Sequence, residues 1–210
     1  LAIDQSLAGG RFADLNTAIR EFINSFEIEE VTDESGEVHT TLKKARGIET
    51  GYLLLDRKLG GFKKGDLIIV AARPGVGKTA LILNFAYRMA SRGKRIAVFS
   101  LEMGKEHIAM RLLSMATGIP SSRIDQGSFS REELQILNKR YEELADLPIY
   151  IDDTSVLNVR ALRNRARRVF TQRQVDIIMV DYLQLMEGLK PGAEGGRVQE
   201  VTEISRGLKQ

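Results

Sequence analysis

The stretch Leu67-Ile68-Ile69-Val70-Ala71-Ala72-Arg73-Pro74-Gly75-Val76-Gly77-Lys78-Thr79 confines this chain to few folds. A short apolar run ends in a turn with two glycines, a lysine and a threonine. A second apolar run, Ala80-Leu81-Ile82-Leu83, follows at once. The spacing G-x-x-x-x-G-K-[ST] marks a loop between a strand and a helix whose backbone N–H groups wrap a phosphate. Alanine, Ala72, stands here in place of the first glycine. Gly75 and Gly77 let successive N–H groups turn inward. The helix that follows aims its free N–H groups and its positive dipole end at the same anion. Lys78 is expected to reach the β- and γ-phosphates of ATP, and the Thr79 hydroxyl to ligate Mg²⁺. Arg73, Pro74, Gly75, Val76, Gly77, Lys78, Thr79 and Ala80 are the expected nucleotide contacts.

The rest of the chain from Gly47 onward alternates in the way such a loop requires. Strand-like runs are expected at 67–71, 96–100, 149–151 and 177–180. Each is short and apolar without clear alternation, as suits strands buried on both faces of a parallel sheet. Helices are expected at 79–91, at 105–117, at 131–145 behind a Ser130/Glu133 capping box, and from Val159 to about Gln172 behind Asn158. The expected class is α/β, a mostly parallel sheet flanked by helices and wound by right-handed crossovers.

Two acidic residues complete the expected site. Ile177-Ile178-Met179-Val180-Asp181 is an apolar strand ending in a carboxylate, placed to hold a Mg²⁺ shell through water. Glu102 follows the run 96–100, and residues at the carboxyl ends of neighbouring strands converge on one crevice. It is the expected group to position and polarise an attacking water. The alternative is a surface or helix-capping glutamate.

Ahead of this domain, 11–28 carries Phe12, Leu15, Ile19, Phe22, Ile23 and Phe26 at helical spacing on one face. The stripe packs either on its own domain or on a neighbouring subunit. The polar stretch after it, punctuated by Ser35-Gly36, reads as a flexible linker. The expected division is 1–45 for linker helix and linker, and 46–210 for the α/β domain.

Composition narrows the partners. With 31 basic and 28 acidic residues, the net charge of +3 does not describe a chain coated in nucleic acid, though a local patch is compatible with it. There is no cysteine, hence no disulfide and no thiolate metal site, which fits a reducing cytosol. The first ten residues show no signal-peptide pattern, and no apolar run reaches the ~20 residues of a membrane helix. With no initial methionine and a helical pattern still running at Gln210, the chain reads as a piece of a longer protein. His39 and His107 have no partner at metal-ligand spacing.

Taken together, these segments resemble the C-terminal ATPase domain of the DnaB-type replicative DNA helicases, hexameric motors with a RecA-like fold. The resemblance runs from 47 to 210. It is carried by GIETGYLLLDRKLGGFKKGDLIIVAARPGVGKTA, FSLEM at 99–103, YIDDT at 150–154, VDYLQLM at 180–186 and RVQEVTEISRGLKQ at the end. RecA-like recombination and clock ATPases share the loop and the glutamate but not usually the DYLQLM and EISR-type segments together.

The resemblance implies Lys78 and Thr79 for nucleotide and metal, Glu102 as catalytic base and Asp181 as Walker B acid. Gln184 would lie near enough to sense the site. It implies an arginine finger supplied in trans by a neighbour, and the finger segment beyond Gln210. It favours docking of the N-terminal helix on an adjacent subunit, as the family's linker helix does.

It also places the glycine-rich stretch 187–197 in the central channel, where Lys190, Gly192 and Arg197 would touch single-stranded DNA. The alternative for that stretch is a disordered connection. The five arginines of RALRNRARR, 160–168, fit a helix lying on the sheet with its arginines solvated, ahead of a subunit contact or DNA binding.

The implied function is an ATP-driven helicase motor that translocates on single-stranded DNA and unwinds duplex at the replication fork. The implied setting is a homo-hexameric ring working with a primase or loader, in the cytoplasm of a bacterium or under a phage, at the nucleoid and away from membranes. One rival reading is a RecA-like ATPase that switches conformation or loads partners without translocating; a second is a pure binding module used only for assembly.

Overall fold

The computed structural model describes residues 14–24, 26–32, 38–44, 47–154, 158–182, 202 and 204–206. The chain divides into two units, Leu1–Gly47 and Ile48–Gln210.

The first unit holds α1 (Leu15–Ile23), β1 (Phe26–Thr32) and β2 (Val38–Lys44). Asp14 caps α1, accepting hydrogen bonds from the Thr17 N–H at 2.8 Å and the Thr17 hydroxyl at 3.1 Å. Leu15, Ile19, Phe22 and Ile23 are all exposed. The helical spacing that extends to Phe26 in the sequence stops at Ile23, because Phe26 opens a strand. Its ring still meets the Phe22 ring edge-on, with centroids 5.1 Å apart.

The stretch read as a linker pairs instead as an antiparallel hairpin, with register from Phe26↔Lys44 to Thr32↔Val38. Its polarity hides this. Yet Val31, Thr32, Val38, Thr40 and Thr41 are β-branched, and Ser35-Gly36 falls between the strands as a turn signal.

The second unit runs α2 (Leu53–Leu59), α3 (Lys78–Ala90), β3 (Ile96–Ser100), α4 (Lys105–Thr117), α5 (Ser121–Asp125), α6 (Arg131–Ala145), β4 (Ile149–Asp152), α7 (Val159–Arg173) and β5 (Ile177–Asp181). The sheet is parallel, in the order β4-β3-β5. β3 is central and all five of its residues are buried.

Its side chains alternate between two cores. Ile96 and Val98 pack with Leu83, Phe85, Ala86 and Met89 of α3 and with Ile108 and Leu112 of α4. Ala97 and Phe99 pack with Val159 and Leu162 of α7, together with Val175 and Ile204. With helices on both faces, neither face of β3 can be polar, so the strand reads as a continuous apolar run. Each Ile, Val, Leu, Phe or Met among them contributes about 1.5–3 kcal/mol by leaving water.

Helix boundaries follow the sequence closely where capping chemistry is local. Ser130 and Glu133 form both halves of the expected capping box on α6. Asn158 accepts from the Ala161 N–H at 2.9 Å and starts α7. On α7 the apolar stripe holds at Val159 and Leu162, but Phe170 is exposed.

One expected strand is absent. Residues 67–71 form no strand, and Leu67, Ile68 and Ile69 are exposed. An apolar run becomes a strand only when a neighbour completes its ladder, and no described strand pairs with it; β5 ends the described sheet on one side and β4 on the other.

The segment leading toward the loop is fixed differently. Ile48 and Phe62 exchange two backbone hydrogen bonds of 2.8 Å. Phe62 and Tyr52 both meet the Phe85 ring edge-on at 5.7 Å. Asp56 accepts from the Thr50 N–H and hydroxyl, both at 2.7 Å, and from the Gly51 N–H at 3.0 Å.

Candidate nucleotide site

The loop 72–77 enters α3 directly. Gly75 has φ 80° and Gly77 φ 104°, a region L side chains rarely adopt. A Cβ built on either would meet nothing within 4 Å. Backbone conformation, not space, therefore demands glycine at both positions. Among the described residues Gln174 is the only non-glycine with positive φ. Ala72 thus sits in ordinary backbone, which explains how alanine serves where the pattern has glycine. Gly77 caps α3 without any side-chain hydrogen bond, leaving the first N–H groups of the helix open to an anion.

Three expected residues come together here. The Thr79 hydroxyl donates to Asp181 Oδ2 at 2.6 Å. Lys78 Nζ stands 3.9 Å from Asp181 Oδ1. Asp181 is buried, and its Oδ1 has no hydrogen-bond partner. An orphaned carboxylate oxygen is costly unless something completes it. Beside a threonine hydroxyl and at a helix N-terminus, its chemistry fits a hydrated divalent cation. Among the described residues no group of three or more His, Asp or Glu forms a protein-only metal cage. A metal shared with phosphate needs none, because phosphate oxygens and water supply the remaining ligands.

Glu102 lies just past the end of β3. Ser100 and Asp181 are register partners there, and the Leu101 N–H donates to the Asp181 carbonyl at 2.8 Å. Glu102 is exposed and makes no hydrogen bond or ion pair with the described residues. It shares the sheet end with Asp181 but is not drawn into the Lys78–Thr79–Asp181 group.

Several contributors escaped the sequence reading. The buried Ser100 hydroxyl donates to the Met103 carbonyl at 2.7 Å and accepts from the Met103 N–H at 3.2 Å, closing the turn that carries Glu102. Its signal is a hydroxyl ending an otherwise apolar strand. Tyr182 places its ring centroid 3.9 Å from Lys78 Nζ. Asp153 accepts from the Lys105 N–H at 3.1 Å at the start of α4.

Asp152 accepts from the Thr154 hydroxyl at 2.6 Å and from Arg165 at 2.8 Å. One arginine of the basic helix α7 is thereby a structural tie to β4. Arg160 and Arg167 are exposed, and Arg163 is half-buried. Gln184, Lys190, Gly192, Arg197 and the rest of 187–197 lie outside the described residues.

A sequence model of one family, the DnaB-like helicase C terminal domain, matches residues 47–210. The chain belongs to that family.

Among DnaB relatives, the replicative DNA helicase DnaB of Synechocystis sp. is 42% identical over 166 residues, covering 78% of this chain and 19% of that protein. Two solved structures agree in fold. One, an ATPase domain, has a TM-score of 0.73 at 31% identity, over 78% of this chain and 58% of that one. The other, "The Structure Of A DnaB-Like Replicative Helicase And Its Interactions With Primase", has a TM-score of 0.74 at 28% identity, over 96% of this chain and 45% of that one. The expected RecA-like α/β class therefore holds. The chain spans less than half the length of the curated DnaB-type relatives it matches.

Proposed function

We propose that this chain is the ATP-hydrolysing motor portion of a replicative DNA helicase. The observation that carries the reading is the meeting of Lys78, Thr79 and Asp181 where the glycine loop enters α3. Backbone N–H groups of 73 and 75–80 would bind the phosphates, with Lys78 reaching the β- and γ-phosphates. Thr79 and the water shell on Asp181 would hold Mg²⁺, which when bound neutralises charge on those phosphates. Glu102, on the turn closed by Ser100, would orient a water and accept its proton at the carboxylate. An arginine finger from a neighbouring subunit would supply the remaining positive charge.

Further proposals follow from family membership. The motor works as a homo-hexameric ring on single-stranded DNA, with Lys190, Gly192 and Arg197 among the DNA contacts. The α1 stripe docks on an adjacent subunit. One structural neighbour is titled for its interactions with primase, which supports a primase or loader partner here. The relatives are bacterial, and among the described residues no helix is long and apolar enough to cross a membrane. We place the protein in the cytoplasm.

The test is DNA-stimulated ATP hydrolysis coupled to strand displacement on a forked duplex, with Lys78→Ala as control. Displacement that depends on ATP and on Lys78 is expected. Hydrolysis without displacement, in a preparation that forms rings, would assign the chain to ATPases that switch shape or load partners.

A further inference from the structure

Lys78 has two partners at the same range. Its ammonium stands 3.9 Å from Asp181 Oδ1 and 3.9 Å from the centroid of the Tyr182 ring. The carboxylate contact is too long for a hydrogen bond. Asp181 is also held by its other oxygen, since Oδ2 accepts from the Thr79 hydroxyl at 2.6 Å. The carboxylate therefore cannot swing both oxygens onto Lys78 without breaking that bond.

A lysine is a point charge on a flexible four-carbon stem, and one long contact does not fix it. The aromatic face does, because a cation within about 6 Å of a ring centroid is drawn to the ring quadrupole. The Lys78 side chain is only 23% exposed, so water screens this attraction weakly.

We propose that Tyr182 is a positioning residue for Lys78. Its ring holds the ammonium at the end of β5 and competes with phosphate for it. The inference rests on the nucleotide-site reading above and goes beyond it, because it gives the residue after the strand-end aspartate a role in setting affinity. On binding, the ammonium gives up the ring face to meet phosphate oxygens. Binding thereby gives up the ring contact, and nucleotide binds less tightly than the loop alone would allow.

The test measures binding of a non-hydrolysable ATP analogue with Mg²⁺ to the 210-residue chain by calorimetry. Tyr182→Phe keeps the ring and should bind within about twofold of wild type. Tyr182→Leu removes the face and should bind about two- to fivefold more tightly. Because leucine could disturb packing, a second series places phenylalanine with increasing fluorine substitution at 182. Fluorine drains the ring face of negative charge at nearly constant shape, so affinity should rise stepwise along the series.

Affinity that is flat or falls along the fluorinated series overturns the proposal. Lys78→Ala separates the two layers. If it abolishes binding while the fluorinated series is flat, the site reading stands and the role of Tyr182 fails. If Lys78→Ala binds as wild type does, the site reading itself fails.

Discussion

Thr79 Oγ1 and Asp181 Oδ2 are 2.6 Å apart, so the first turn of α3 is hydrogen-bonded to the last residue of β5. Thr79→Ala should act twice. Without nucleotide it leaves a buried carboxylate oxygen unpaired, costing about 1–3 kcal/mol. On the proposed site reading it would also remove a metal ligand, so Mg²⁺ should no longer tighten binding. Thr79→Ser keeps the hydroxyl and should restore both. Thermal melts without nucleotide, and binding with and without Mg²⁺, check the pair. A stable alanine variant with normal Mg²⁺ dependence would contradict both roles.

Glu102→Gln keeps size and hydrogen bonding but cannot accept a proton. Nucleotide affinity should persist while turnover falls by about 10²–10⁴, the usual worth of general acid–base help. Single-turnover hydrolysis beside equilibrium binding distinguishes the outcomes. Lost affinity with substantial residual turnover would make Glu102 structural.

Burial pushes the Asp152 carboxyl up, but the Thr154 and Arg165 hydrogen bonds and the Arg165 charge outweigh it and hold it below the ordinary value. The stability it contributes is therefore fully present above the unfolded value of about 3.9. That contribution is lost as pH falls through the lower folded value. Asp152→Asn should cost about 1–2 kcal/mol near neutrality, allowing for the exposure of Arg165. The gap to wild type should close as pH drops below about 4. Urea melts across that range measure it, and a gap independent of pH would rule out an ionic origin.

Phe22→Asp probes the exposed stripe of α1. Burying two or three such side chains against a neighbouring copy contributes about 1.5–3 kcal/mol each. The substitution should shift sedimentation toward smaller species and lower DNA-stimulated hydrolysis. Nucleotide binding by the second unit should persist. An unchanged oligomer accompanied by unfolding would show that the helix packs within its own chain.

What was legible in the sequence was local. The start of α6 follows from the Ser130/Glu133 box, and β3 from an apolar run too short for a helix. The need for glycine at 75 and 77 was readable because positive φ restricts those positions to few residue types. What was hidden depends on partners far along the chain. Nothing around Arg165 distinguishes it from its solvated neighbours until β4 brings Asp152 to it. Tyr182 becomes informative only when α3 sets Lys78 over its ring. The hairpin was hidden because its strands are polar in composition and only their pairing partner reveals them, and 67–71 misled because hydrophobicity cannot name a strand's neighbour.

No described strand pairs with the run at 67–71, so among the described residues the glycine loop stands as a cantilever. Its far end is clamped by α3, where Leu83, Phe85, Ala86, Met89 and Ala90 are buried. Its near end hangs from a segment with exposed Leu67, Ile68 and Ile69 and no ladder to any described strand. Phosphate gripped by the loop, as the proposed site requires, would fasten that end from the ligand side. Stiffening on occupancy should therefore fall on 67–77 and spare α3, so the amides of the run become slow to exchange with solvent only while nucleotide is held.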